Sequence, residues 1–493
     1  MTEKQIKKNL WFFPLGTVGR DMSYQLFTNF ILTFVMFTRQ LTTGQLAAIT
    51  AIIVGARVFD ALNDPLMGNI IDRTRTRWGK FKPWLVIGIV LTSFVIYAAF
   101  NSKLQGSAFI WFFALIYFLY SITYTMHDIA YWGMVPSLGT DAHLRDQITS
   151  RTNLFAGVGG TLASVLIPML TVGAMTIGGN TAFAYGKVAL VICILAPAFL
   201  CFTVFGVHED RSYENEPVPP FSFRKIVNVV KNNDQLCWIA LIFLLQQVGQ
   251  NICLNGLGSM YIYFEFSYEG GLWSLFTTVG MVATAFLMIF YPAIAKKIKR
   301  KPFMKQMLLV SAVGYGLMFL VGIILPSSMV KFWIMTIGYM LANFGFYAYY
   351  LIMMISIMNT VEYNEWKYGE RDDAIIASAR PFITKLASAI CVAIVSLTYI
   401  ICGVTKYTNQ ISALEQQAGL GAITESEKLS QISAVLSQVQ SGQKFGMLLF
   451  ITVIPFLFML GSYLLYKKKY ILDEDRYAQI CTDLADKKGS VAK

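Results

Sequence analysis

Apolar runs of about 20 residues recur along the whole chain, each long enough to cross the ~30 Å hydrocarbon core of a bilayer as a helix. Inside lipid every backbone polar group must be satisfied within its own segment, which confines such runs to helices. Hydropathy places twelve spans, over 10–38, 44–71, 83–101, 107–137, 147–174, 183–207, 235–266, 271–295, 303–325, 332–361, 374–404 and 445–466. The pattern predicts an all-α polytopic membrane protein. Composition agrees: 14% of the 493 residues are charged, where a soluble domain carries about 25%. The first run follows Lys4, Lys7 and Lys8, but it is too long for a signal-peptide core and lacks a small-residue cleavage site. It reads as a retained span.

A net charge of +12 invites a nucleic-acid reading, and the placement of the charge excludes it. The two termini and the loops on their side hold 28 Lys and Arg residues, and the opposite loops hold 6. By the positive-inside rule both termini are expected in the cytoplasm, with the protein multi-pass in the cell (inner or plasma) membrane. Six of the seven cysteines fall in spans and Cys481 in the tail, with no spacing that suggests a metal site or a disulfide framework.

Charges inside apolar spans are expensive and mark ion or substrate pathways. The densest stretch is RVFDALNDPLMGNIIDRTRTRWGKFK, 57–82. Asp60 and Asp64 stand four residues apart on one helix face, with Arg57 a turn earlier. Two such carboxylates repel unless a cation lies between them, and with a hydroxyl such as Thr125 they suit Na⁺, Li⁺ or a proton. In span one, GRDMSYQLF (19–27) sets Arg20 and Asp21 near mid-bilayer, where the alternative is an ion pair snorkelling to the interface. In span four, TYTMHDIAYWGMVP (123–136) puts Asp128 and Trp132 on one face, with Thr125 a turn before the acid. A carboxylate beside an indole can hold a sugar, its hydroxyls on the acid and its CH face on the ring. Trp132 alone would also serve as an interfacial anchor, and His127 points to another face as a helix-contact residue. Arg151 opens span five, facing either interface or cavity, and Lys385 in span eleven requires a cavity or an acid; Arg380 beside it is free to snorkel.

The proline-rich connection 208–234 divides the chain into six spans and six, giving an N-terminal bundle (1–207), a middle loop (208–234), a C-terminal bundle (235–466) and a tail (467–493). A weak echo between 19–34 and 249–264 fits the pseudo-repeats of secondary transporters. The one long external segment, 405–444, has apolar residues at helical spacing and predicts one or two amphipathic helices over the external mouth, more a passive surface feature than a lid.

The 57–84 motif, with GRD in span one, TYTMHDIAYW in span four and the lysine of span eleven, resembles the glycoside–pentoside–hexuronide:cation symporter family of the major facilitator superfamily. The likeness runs over about residues 10–470. It implies twelve transmembrane helices in two six-helix bundles and cation-coupled symport of a glycoside or oligosaccharide by alternating access. It also implies a cation site at Asp60 and Asp64 with Asn63 and Thr125, and a sugar site at Asp21 and Asp128 with Arg20, Tyr124, Trp132, Arg151 and Lys385. No organic cofactor is implied, the monovalent cation (Na⁺, Li⁺ or H⁺) being a co-substrate. The expected partners are a small sugar and the bilayer, with no nucleic acid, and the expected state is a monomer. Two departures from the pattern are the length of the external insert and the extra charge of Arg380. Competing readings are a lysolipid or lipid carrier of the same fold and a membrane sensor that binds without transporting. An enzyme acting on lipid-linked sugars needs catalytic groups at the interface, and 405–444 holds no His, Asp or Cys.

Overall fold

The computed structural model describes residues 2–139, 142–211, 223–295 and 297–491. Among these, every regular element is helical. The long helices are α1 (Glu3–Thr38), α2 (Thr43–Arg73), α3 (Lys82–Asn101), α4 (Gly106–Met134), α5 (Ala142–Thr171) and α6 (Thr181–Gly206) in the first half. A short helix, α7 (Phe223–Asn232), then leads into α8 (Asp234–Ile252) and its continuation α9 (Gly258–Glu265). There follow α10 (Gly270–Ala295), α11 (Arg300–Ile324), α12 (Met329–Tyr368) and α13 (Asp373–Ile401). Two shorter helices, α14 (Val404–Gly419) and α15 (Glu425–Ser437), precede α16 (Ser441–Lys469) and a tail helix, α17 (Glu474–Val491).

Eleven helices among the described residues are long and apolar enough to cross a membrane, with α8 and α9 counted as one. The twelfth expected span, α1, is long enough at 36 residues but too polar in its middle, where Arg20, Asp21, Ser23, Tyr24 and Gln25 follow one another within two turns. Its polar centre is the reason it falls short. Part of the expected middle loop, 212–222, lies outside the described residues; the rest of it includes α7. α12 runs past the expected span end at 361 until Gly369 ends it at φ 76.

The chain forms two compact units. Unit 1 comprises Met1–Pro220, Ile262–Leu275 and Tyr399–Gln443; unit 2 comprises Phe221–Tyr261, Phe276–Thr398 and Lys444–Lys493. In unit 1, α1 packs between α5 and α6, α4 lies against α2 and α3, and α3 also meets α6. Two glycines allow α1 its close neighbours: a Cβ on Gly159 of α5 would stand 2.3 Å from the Val18 carbonyl, and one on Gly19 2.6 Å from the Ala196 backbone. These contacts fix α1 immediately before Arg20.

The insert 405–444 forms the two expected helices, α14 and α15, and buried polar bonds anchor them. Lys428 and Glu415 make an ion pair at 3.3 Å whose side chains are 0% and 2% exposed. Glu415 also accepts from the Thr181 amide at 2.9 Å and the Tyr268 hydroxyl at 3.3 Å, and Lys428 donates to the Gly179 carbonyl at 2.7 Å. A buried pair needs such extra bonds to offset its desolvation. In unit 2, α12 packs along α11 and α8 and receives α17 at its end.

Candidate substrate and cation site

Arg20 is the centre of the first cluster. It is 3% exposed, and its guanidinium joins two acids: Nη1 donates to Asp128 at 2.8 Å and Nη2 to Asp21 at 3.0 Å. It also lies over two rings of α4, 4.9 Å from the Tyr131 centroid and 5.3 Å from that of Trp132. Thr17, one turn before Asp21, donates its hydroxyl to that acid. The cation is therefore sealed, while its two partners stay accessible, with side chains 20% and 26% exposed. One guanidinium against two carboxylates leaves a net negative charge and spare lone pairs, an acceptor surface suited to hydroxyl groups beside the Trp132 ring.

The second cluster joins α2 to α4. Ser121 donates its hydroxyl to Asp60, and Thr125 donates to Asp64 at 3.4 Å. Both pairs are 61 residues apart and both members advance by one turn, so the two helices run in register there. Asp60 is buried, while Asp64 and Asn63 are half-buried. Arg57 is buried a turn before Asp60, with its guanidinium 5.9 Å from the Tyr117 ring and Nε and Nη2 without hydrogen-bond partners. Two carboxylates with two hydroxyls supply the hard oxygen ligands that a small monovalent cation or proton requires.

α4 carries both clusters. Ser121 and Thr125 face α2; Asp128 and Trp132, a turn or two further on, meet Arg20 of α1. Tyr124 sits between them, its ring 5.4 Å from those of Tyr24 and Tyr120 and 4.7 Å from that of His127. His127 is fully buried, and a Cβ on Gly88 of α3 would stand 2.7 Å from its amide nitrogen.

The structure does not bring every expected residue to these clusters. Arg151 lies half-buried near the start of α1, its guanidinium 4.7 Å from the Trp11 ring and Nη1 donating to the Leu10 carbonyl at 3.4 Å. That carbonyl has no helical partner because residue 14 is proline, so Arg151 fills a backbone gap. It stands about 15 Å along α1 from Arg20 at ~1.5 Å per residue. Lys385 is half-buried on α13, within unit 2. Arg380, exposed on the same helix, donates to the Tyr350 hydroxyl at 2.7 Å. Sequence reasoning missed Ser121, Thr17 and Tyr131. The repeat of a hydroxyl four residues before Thr125 and before Asp21 was the available signal.

Residues 12–474 match the family model for MFS/sugar transport proteins, nearly the whole chain. The chain belongs to this family. Within it, the lactose permease of Lactobacillus helveticus is 27% identical over 80% of the chain, and the raffinose carrier protein of Pediococcus pentosaceus 26% over 96%. The chain spans 62% of the length of that lactose permease and 70% of the raffinose carrier. Among solved structures, a bacterial homolog of the human lysosomal transporter Spinster superposes with a TM-score of 0.63 at 12% identity, over 95% of this chain and 99% of that one. That likeness establishes the major facilitator fold. The match over nearly the whole chain places it among MFS/sugar transport proteins.

Proposed function

We propose that this MFS/sugar transport protein is a symporter that moves a glycoside or oligosaccharide together with Na⁺, Li⁺ or H⁺. The observation that carries the reading is that α4 presents hydroxyl partners to the Asp60–Asp64 pair and, on adjoining turns, Asp128 and Trp132 to Arg20 and Asp21. A sugar held by Asp21 and Asp128, stacked on Trp132 and flanked by Tyr124, shares that helix with a cation held by Asp60, Asp64 and Thr125, with Asn63 beside them. Movement of α4 on binding either ligand changes the site of the other, which is the physical content of coupling. The lactose permease and raffinose carrier relatives support a sugar of two or more rings. Arg20 holds both acids in place before sugar arrives, so sugar hydroxyls find fixed acceptors. Lys385 and Arg151 enter this reading through the family pattern; Arg151 has its backbone role besides. Both clusters lie within one unit of one chain, which supports a monomer as the working form.

The deciding experiment is uptake of labelled lactose and raffinose into vesicles holding the purified full chain, with Na⁺, Li⁺ and pH gradients imposed one at a time. Accumulation driven by at least one gradient is expected; sugar entry indifferent to all three refutes symport. The excess of Lys and Arg on the side of the termini supports a cytoplasmic tail. An impermeant maleimide is accordingly expected to label Cys481 only from the cytoplasmic side and a cysteine at position 425 only from outside. Labelling of both from one face overturns that orientation.

A further inference from the structure

The short helix α7 lies at a corner of unit 2 where the chain enters a membrane span. One residue, Asn233, separates its end at Asn232 from α8, whose run Asp234–Glu265 is long and apolar enough to cross. Buried bonds fix the corner. Asn233 is fully buried; its Oδ1 accepts from the Leu236 amide at 2.9 Å, and its Nδ2 donates to the Thr360 carbonyl of α12 at 3.0 Å. The last carbonyl of α7, that of Asn232, accepts from the Tyr368 hydroxyl at 2.6 Å, and the Val230 carbonyl accepts from the Cys237 thiol at 2.9 Å. The end of α7 is thereby held against the first turn of α8, at the level where that span begins.

The two sides of α7 differ. Lys225 and Val229, one turn apart, belong to the side tied to protein: Val229 is buried, and Lys225 meets Asp372, the residue before α13, at 2.8 Å. Arg224, Val227 and Lys231, spaced by three and four residues, share the other side with Val230, and all four are exposed. An exposed apolar strip bordered by bases is the arrangement of a helix lying in a membrane interface. Its apolar side chains enter the acyl boundary while its cations stay among the headgroups.

The end of α16 adds to this surface. Its last turn is Lys467, Lys468 and Lys469, all exposed, and the Lys469 ammonium lies 4.9 Å from the ring of Trp238 in α8. Tryptophan is a residue of the membrane interface, and Trp238 directly follows Cys237, the partner of Val230. α7 and α16 thus meet adjoining residues of α8. The two acids beside α7 are already engaged: Asp372 by Lys225, and Asp234 by Lys367 at 2.7 Å and the Tyr363 hydroxyl at 2.8 Å. That leaves the charge of Arg224, Lys231 and Lys469 for a partner from outside. A phosphodiester supplies the oxygen acceptors these bases take, and a lipid that carries no ammonium of its own leaves that charge uncancelled.

We propose that Arg224, Val227, Val230 and Lys231 of α7, with Trp238 and Lys469, form a docking surface for an anionic phospholipid of the surrounding bilayer. Its phosphate meets the bases and its acyl chains run along the two valines. The site does not depend on which solute the protein carries. The test uses the purified full chain in phosphatidylcholine vesicles holding either brominated phosphatidylglycerol or brominated phosphatidylcholine, whose bromines quench nearby tryptophan. The signal of Trp238 is the difference between each protein and the same protein carrying Trp238→Phe. Phosphatidylglycerol is expected to quench Trp238 in preference to phosphatidylcholine. That preference should fall about fivefold in each of Arg224→Gln, Lys231→Gln and Lys469→Gln, the size expected for one base near an anionic surface. Quenching of the other tryptophans by phosphatidylcholine should stay the same, which shows that the variants are inserted and folded. Equal quenching of Trp238 by both lipids in wild type overturns the site. A preference that survives all three substitutions overturns its assignment to these bases. Trp238 shielded from both lipids, with chains crosslinking in pairs, gives the surface to a second copy and likewise overturns the proposal.

Discussion

Ser121 shows what a single hydroxyl can set. It donates to buried Asp60 as Thr125 does to Asp64, so each acid of the proposed cation site has one hydroxyl from α4. A hydrogen bond to a charged group is worth roughly 1.5–3 kcal/mol. Ser121→Ala is therefore expected to raise the cation concentration for half-maximal sugar uptake by about tenfold or more, with little effect on sugar affinity at saturating cation. An unchanged cation requirement would separate Asp60 from the cation site. The acids and Arg20 were legible in the sequence because a charge within a membrane span is costly and stands out. The hydroxyls were not. Serine and threonine in membrane helices usually return their hydroxyl to the backbone one turn earlier, as Thr152, Thr171 and Thr452 do here at 2.7, 2.7 and 2.6 Å. Only the register between α2 and α4 distinguishes Ser121 from these. Arg151 was equally opaque, since its bond depends on a proline on another helix, 137 residues earlier in the chain.

At the scale of elements, hydropathy fixed the helices well: the expected spans 44–71 and 235–266 fall within a residue or two of Thr43–Arg73 and Asp234–Glu265. It could not show that the second of these is broken at Cys253–Leu257, because hydropathy averages over a turn that remains apolar; Asn255-Gly256 was the local sign. Nor could it pair the start of α11 with the tail. There Lys299 meets Asp475 at 2.6 Å, Arg300 meets Glu474 at 2.9 Å and Lys301 meets Asp473 at 3.1 Å, three consecutive bases on three consecutive acids. Partial burial alone would raise the Asp473 and Glu474 carboxyls, but hydrogen bonds from the Arg476 and Arg300 amides and from the Lys301 and Arg300 side chains hold both below their ordinary values. Carboxyls depressed in the folded state stabilise it fully above their unfolded pKa, about 4, and lose that contribution as pH falls further. The tail helix is therefore expected to stay docked from neutral pH down to about 4.5 and to loosen below about 4. The mobility of a spin label at position 482 reports this. Loosening already at pH 6 would show that these pairs do not hold α17.

For the whole molecule, two ligands bound to one helix must obey linkage. If the cation at Asp60 and Asp64 strengthens sugar binding at Asp21 and Asp128 by some factor, sugar must strengthen cation binding by the same factor, and typical couplings of about 1–3 kcal/mol correspond to roughly 5–150-fold. The short path through Thr125, Tyr124 and Asp128 makes a sizeable factor reasonable, because no other element need move for one site to affect the other. Asp60→Cys is expected to abolish the response to Na⁺ and accumulation against a gradient while sugar still binds, since the Arg20 cluster remains intact. Asp128→Asn should do the reverse: it removes the charge of one of the two acceptors fixed by Arg20 and weakens sugar by about one to two decades, yet leaves the Ser121 and Thr125 pairs in place. Calorimetry of sugar with and without Na⁺, and of Na⁺ with and without sugar, closes the cycle in wild type and in both variants. A wild-type factor that differs between the two directions would mean a third species is bound. Sugar affinity that still rises with Na⁺ in Asp60→Cys would put the cation somewhere other than between α2 and α4.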